Sequence, residues 1–302
     1  MYKKHFGLTD KPFSLTPDPD YLFLTKKHTA AYCMLEYGLF EQDGMTVITG
    51  EVGAGKTTLL RYLLNNVDDS LFTVGLINNT HKSLGSLLEW IALALDISYK
   101  EEWSRMNLFR TIQEYLINEY AQGRMTVLVV DEAQNLDKDA LEELRLITNI
   151  NADKDQLVKI ILVGQPQLLE MLDDPNLSQV AQRISAEYHL DSLDCQDTMA
   201  YIRDRLKSAG TEETIFSEKA LVAVYYYSGG VPRIINKICD YALLFAYAEG
   251  GLEVKLATIT EVVKMHRLSR LRRGQKPVKG GEAIREKIKD VSGIDLEDAV
   301  TA

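Results

Sequence analysis

Three cysteines in 302 residues, at positions 33, 195 and 239, are too few and too scattered to staple a fold. They exclude a disulfide framework and a cysteine-rich zinc site, and they fit a reducing compartment. The five histidines (5, 28, 81, 189 and 266) follow no spacing that metal ligands use. Long apolar runs are missing too. Tyr241 to Ala248, among the longest, is far short of the ~20 residues a membrane-crossing helix needs. The opening Met1-Tyr2-Lys3-Lys4-His5-Phe6 leads into no apolar segment, so no secretory leader is expected. Positive charge is outnumbered, 34 Lys and Arg against 44 Asp and Glu. That balance argues against a surface made throughout for nucleic acid. The remainder is ordinary globular composition, 46% hydrophobic, sufficient for one large core and a smaller domain.

The motif that carries chemistry is Gly50-Glu51-Val52-Gly53-Ala54-Gly55-Lys56-Thr57, which fits G-x-x-x-x-G-K-[ST]. A short β-branched run, Met45 to Thr49, precedes it, and Thr58-Leu59-Leu60 opens a helical pattern after it. Strand, glycine loop and helix is the context in which this motif binds phosphate. The glycines let successive backbone N–H groups face the phosphates, and the helix N-terminus adds positive potential. Lys56 is expected on the β- and γ-phosphates of ATP, and the Thr57 hydroxyl on Mg2+, with Thr58 beside them. A second apolar run, Met125 to Val130, ends in Asp131-Glu132. Asp131 is expected to orient Mg2+, directly or through water. Glu132 is expected to polarise the attacking water, so that ATP is hydrolysed rather than merely held.

Along the chain, apolar runs at 45–50, 72–77, 126–130, 159–164 and 187–190 alternate with helical patterns at 56–66, 84–95, 107–121 and 138–149. That alternation predicts an α/β core with a parallel sheet and helices on both faces. After Leu193 the strands stop, and 197–208, 217–228, 232–249 and 257–272 read as helices of a small C-terminal lid. The expected divisions are an N-terminal segment packed on the core (1–44), the nucleotide-binding core (45–193), the helical lid (194–272) and a basic, mobile tail (273–302) with one more helix at 282–290. Residues 261–289 hold ten Lys or Arg against three Glu, a local excess on an acidic chain. Such a window serves either a partner or a solvated helix end.

Asp131-Glu132-Ala133-Gln134 looks like a helicase box, but the chain has no room for a second helicase core. Gly230-Val231-Pro232-Arg233 instead resembles the sensor 2 region of AAA+ ATPases, the P-loop class with a helical lid. The resemblance implies that Arg233 reaches the phosphates, that Gln165 stands at the sensor 1 position, and that Arg183 is an arginine finger. A finger of this kind stabilises charge developing on the transferred phosphate. In this class it serves a neighbour's site, which implies an ATP-dependent homo-oligomer, a ring or filament.

A narrower resemblance covers residues 1–270. Tyr2, Phe6-Gly7-Leu8, Pro12-Phe13, Leu15, Pro17-Asp18-Pro19 and Tyr21-Leu22-Phe23 are similar to the start of the GspA/ExeA secretion ATPases. The Asp131 box, Val163-Gly164-Gln165-Pro166 and Gln182-Arg183-Ile184 look like that group as well. The group includes pilus- and exopolysaccharide-associated ATPases and is related to the transposition regulators TnsC, TniB and MuB. It implies an N-terminal segment lying over the nucleotide, with Phe23 and His28 on the adenine side. Secretion members continue into a membrane span and a peptidoglycan-binding module, and this sequence stops at Ala302 without either. The expectation is a cytoplasmic protein, peripheral at the inner membrane, that acts on a membrane-associated partner. A DNA-loading ATPase of the transposition type is the alternative.

Overall fold

The structure is a computed structural model that describes residues 1–16, 21, 23–41, 44–78, 85–100, 102–152, 154–265, 278 and 280–297. The chain divides into two compact units. One is Lys26–Glu51 with Lys56–Leu190, and the other is Met1–Thr25, Val52–Gly55 and Asp191–Ala302.

The first unit is a five-stranded sheet of β1 (Met45–Gly50), β2 (Phe72–Ile77), β3 (Met125–Val130), β4 (Val158–Gly164) and β5 (Ile184–Leu190). The strands are all parallel in the order β2-β3-β4-β1-β5. Every residue of β1 and β4 is buried, as is expected of central strands covered on both faces. Helices α1 (Lys26–Phe40), α2 (Lys56–Asn65), α3 (Leu87–Ala94), α4 (Arg105–Ala121), α5 (Lys138–Thr148) and α6 (Gln167–Leu172) complete this unit. Local chemistry starts them where they start. The Ser86 hydroxyl accepts from the Glu89 amide and Glu89 returns the bond, a capping box for α3; Ser104 and Asp137 cap α4 and α5. The predicted strands and helices of this core are present, with no end moved by more than three residues. Helix α1 was not predicted. Its buried stripe is His28, Ala31, Leu35, Gly38 and Leu39, while Met34, Tyr37 and Phe40 face outward. Gly38 belongs there because α1 runs tight against β1: a Cβ at 38 would sit 1.8 Å from Thr46 Oγ1.

The topology gathers distant residues. β3, β4 and β1 are adjacent, so their C-terminal ends bring Asp131, Gln165 and the glycine loop to one edge of the sheet. That edge is where parallel α/β sheets bind ligands.

The second unit is built from α7 (Cys195–Ser208), α8 (Glu218–Ser228), α9 (Pro232–Ala248), α10 (Leu256–Met265) and α11 (Gly281–Ser292). Asp194 and Ser217 cap α7 and α8, Gly229 ends α8 in the left-handed conformation, and Pro232 opens α9. The residues expected as one N-terminal segment are shared between the two units. Tyr2, Phe6, Leu8 and the fully buried Phe13 belong to the hydrophobic core of this helical unit, while α1 belongs to the sheet unit. Buried Arg205 draws the segment in, donating to the Pro12 carbonyl at 2.5 Å with its guanidinium 4.3 Å from the Tyr21 ring. Part of the expected tail, 281–297, carries α11 and packs within this unit. Ile288 and Leu296 are buried in the same core, and the Tyr227 hydroxyl donates to the Leu296 carbonyl at 2.8 Å. Six of the ten basic positions of the 261–289 window (267, 270, 272, 273, 276 and 279) lie outside the described residues.

Truncating a fully buried Phe leaves a cavity that costs about 3–5 kcal/mol. Phe13→Ala is therefore expected to lower the urea midpoint and speed trypsin cleavage after the exposed Lys4. Unchanged protection at Lys4 would show that Phe13 does not anchor the segment.

Candidate functional site

The glycine loop leaves β1 at Gly50 and enters α2 at Lys56. Gly53 takes φ +82° and Gly55 φ +104°, a region that side chains avoid. Gly53 also carries a close approach: its carbonyl accepts from the Arg233 amide at 3.2 Å, and a Cβ there would lie 2.5 Å from the Arg233 Cβ. The start of α9 thus rests on the loop tip, and the Arg233 side chain is exposed beside it.

Lys56 folds back along the loop and donates to the carbonyls of Gly50 (2.7 Å) and Glu51 (3.0 Å). Burial pushes its ammonium below the usual lysine range, and the charges of Glu132, Asp131 and Glu51 oppose that shift. A desolvated cation held this way gains most from an anion of high charge such as a polyphosphate. Thr57 donates its hydroxyl to Asp131 Oδ2 at 2.9 Å, and Asp131 Oδ1 accepts the Glu132 amide at 2.9 Å. The buried Asp131 carboxylate is thereby oriented on the Thr57 oxygen. Two hard oxygens in contact suit Mg2+, which takes one or two protein ligands and completes its shell with phosphate and water. Among the described residues no cluster of three or more His, Cys, Asp or Glu offers a self-sufficient metal cage. Thr58 follows, half-buried, in the first turn of α2, and Glu51, Val52 and Ala54 contribute loop backbone.

Glu132 is one of two non-glycine residues with positive φ among the described residues, at φ 55°. Such a conformation is uncommon and concentrates at functional sites. It turns the carboxylate outward, where Oε2 accepts from Gln134 Nε2 (2.6 Å) and Gln165 Nε2 (3.2 Å). Gln134 also accepts the Gln165 amide at 2.9 Å. Gln134 was visible in the sequence as part of the Asp131 box, without a role of its own. Its bridging place depends on β3 and β4 being neighbours.

Arg183 stands elsewhere. It precedes β5, next to Met45 at the opposite end of the strands from Gly50, roughly 20 Å away along the sheet. Its exposed guanidinium donates to Asn149. Phe23 packs edge-on against Tyr201 at 5.8 Å in the helical unit, and His28 is buried on α1 in the sheet unit. Each has a packing role in its own unit.

Residues 40–172 match a family model described as an AAA domain. Over 254 residues the chain is 42% identical to the general secretion pathway protein A of Aeromonas hydrophila, covering 84% of this chain and 46% of that protein. It therefore spans less than half the length of that relative. The chain belongs to the AAA+ ATPases, in the GspA/ExeA group. Solved structures agree on the fold. The Cdc6p structure from Pyrobaculum aerophilum superposes with TM-score 0.66 at 19% identity, covering 85% of this chain and 70% of that one. The Aeropyrum pernix ORC2 protein gives TM-score 0.64 at 15% identity, covering 95% and 85%.

Two substitutions separate holding from turnover. Lys56→Ala is expected to weaken ATP binding roughly 10- to 100-fold, the worth of a charge-assisted bond. Gln134→Leu is expected to keep ATP affinity and slow turnover about tenfold. Equilibrium titration with a fluorescent ATP analogue and steady-state ATPase assays measure the two. An unchanged dissociation constant in the first variant, or full turnover in the second, would contradict these assignments.

Proposed function

We propose that the protein hydrolyses ATP in a self-assembled oligomer and uses the cycle to remodel a membrane-associated protein partner in envelope export. Lys56 and the loop amides bind the phosphates. Thr57 and Asp131 would hold Mg2+, which when bound supplies charge neutralisation on the phosphate oxygens. Glu132 takes the role of polarising the attacking water. Gln134 and Gln165 both donate to its Oε2, which orients the carboxylate and leaves Oε1 toward that water. Arg233, whose amide donates to the Gly53 carbonyl, takes the role of sensing the phosphates.

The observation that carries assembly is the position of Arg183. An exposed arginine at the far end of the sheet from its own loop serves catalysis only on a second copy. The export role draws on the curated relative, whose name places it in general secretion. Among the described residues no helix is long and apolar enough to cross a membrane. Two of the tail's cations do not favour lipid or DNA contact. Arg285 and Lys289 are bound to Asp295 at 2.7 and 2.9 Å, and Arg285 also meets Glu297 at 2.6 Å. These bonds hold the Asp295 carboxyl well below the usual carboxylate range.

Glu132→Gln should bind ATP without turning it over and accumulate as the assembled form. Sedimentation velocity is expected to show a larger species only with ATP. A monomer in both conditions would sink the oligomer reading. Captured on the trapped oligomer, an inner-membrane protein supports the export role. ATP-dependent, salt-sensitive binding of a labelled DNA duplex would favour DNA loading instead.

A further inference from the structure

The surroundings of Arg183 form a closed set of bonds in the sheet unit that the nucleotide site does not use. The Arg183 carbonyl accepts the Met45 amide at 2.8 Å, fixing the backbone of the arginine to the start of β1. Gly44, just before, takes φ +105° and lies so close that a Cβ would meet the Arg183 carbonyl at 2.4 Å. Buried Gln156 ties this corner to the end of α5: its Oε1 accepts the Gly44 amide at 2.6 Å, and its Nε2 donates to the Thr148 carbonyl at 3.0 Å. The next residue, Asn149, closes α5 and accepts from Arg183 Nη2 through its side-chain oxygen. Backbone and side chain of Arg183 are thus held by two elements that Gln156 locks together.

We propose that Asn149 is a positioning residue for Arg183, with Gln156 as the brace that holds it in register. The physical reason is entropy. An exposed arginine loses several rotamers' worth of freedom when it docks on a phosphate. A guanidinium already held at one of its five N–H donors loses less, and the other donors stay available to the incoming anion. The amide of Asn149 suits this task because it accepts without a charge. A carboxylate there would hold the arginine too tightly for it to exchange partners. The proposal rests on the reading that Arg183 acts on a second copy's nucleotide.

The test is a double-substitution cycle in steady-state ATPase assays on the assembled protein. Asn149→Ala is expected to lower kcat roughly three- to tenfold, the cost of a loosely aimed group, with KM for ATP unchanged. Arg183→Ala is expected to lower kcat further. The double variant is expected to match Arg183→Ala alone, because a seat has no value without its occupant. Equal melting temperatures exclude a folding cause. Parental kcat in Asn149→Ala, or a double variant that loses the product of both effects, overturns the seat while leaving the arginine's role standing. Parental kcat in Arg183→Ala overturns both.

Discussion

A lysine taken out of water and tied to its own loop is the constraint on which the site depends. Lys56 would be costly there without acceptors, and the Gly50 and Glu51 carbonyls and the nearby acids offset that cost. The loop can present those carbonyls because β1 ends in a glycine turn. The acids are near because β3 lies one strand away from β1, across β4. The Thr57–Asp131 bond joins the two strand ends directly. Loss of the sheet order would therefore separate the cation from its counter-charges before it disturbed anything else.

The same order explains why the protein has two chemically distinct ends of one sheet. At the C-terminal ends of β3, β4 and β1 lie Asp131, Glu132, Gln165 and the phosphate loop. At the N-terminal ends of β1 and β5 lie Gly44, Met45 and Arg183, braced by Gln156 and Asn149. Parallel strands make this polarity unavoidable, since every strand runs the same way. An arginine placed before a strand and a carboxylate placed after one cannot meet within a single copy. The assembly proposed above would bring them together between copies.

The helical unit adds a different kind of order. Its core is completed by Phe6, Phe13 and Leu296, from the two ends of the sequence, and buried Arg205 anchors the first segment through the Pro12 carbonyl. Arg285 and Lys289 of α11 are bound to Asp295, just beyond the helix. A basic count taken along the sequence overstates what is offered to an anionic surface, because pairing removes cations that counting includes.

How much could be read without coordinates depended on how local each signal was. The central strands were legible because burial on both faces leaves unbroken apolar runs, as in Val127 to Val130. The phosphate loop was legible because its glycines and lysine must be contiguous. Helix α1 was not, since its inward stripe uses His28 and Gly38 while Tyr37 and Phe40 face out, against the usual pattern. The partners of Glu132 and Arg183 were hidden as well. Gln134, Asn149 and Gln156 are ordinary polar residues whose meaning comes from which strands and helix ends adjoin. By itself the sequence determined the class, the glycine loop with its lysine and the acidic pair, because these rest on spacing within one turn of chain. The tertiary structure alone decided which unit holds the N-terminus, what orients Glu132 and what braces Arg183, because those depend on contacts made across tens to hundreds of residues.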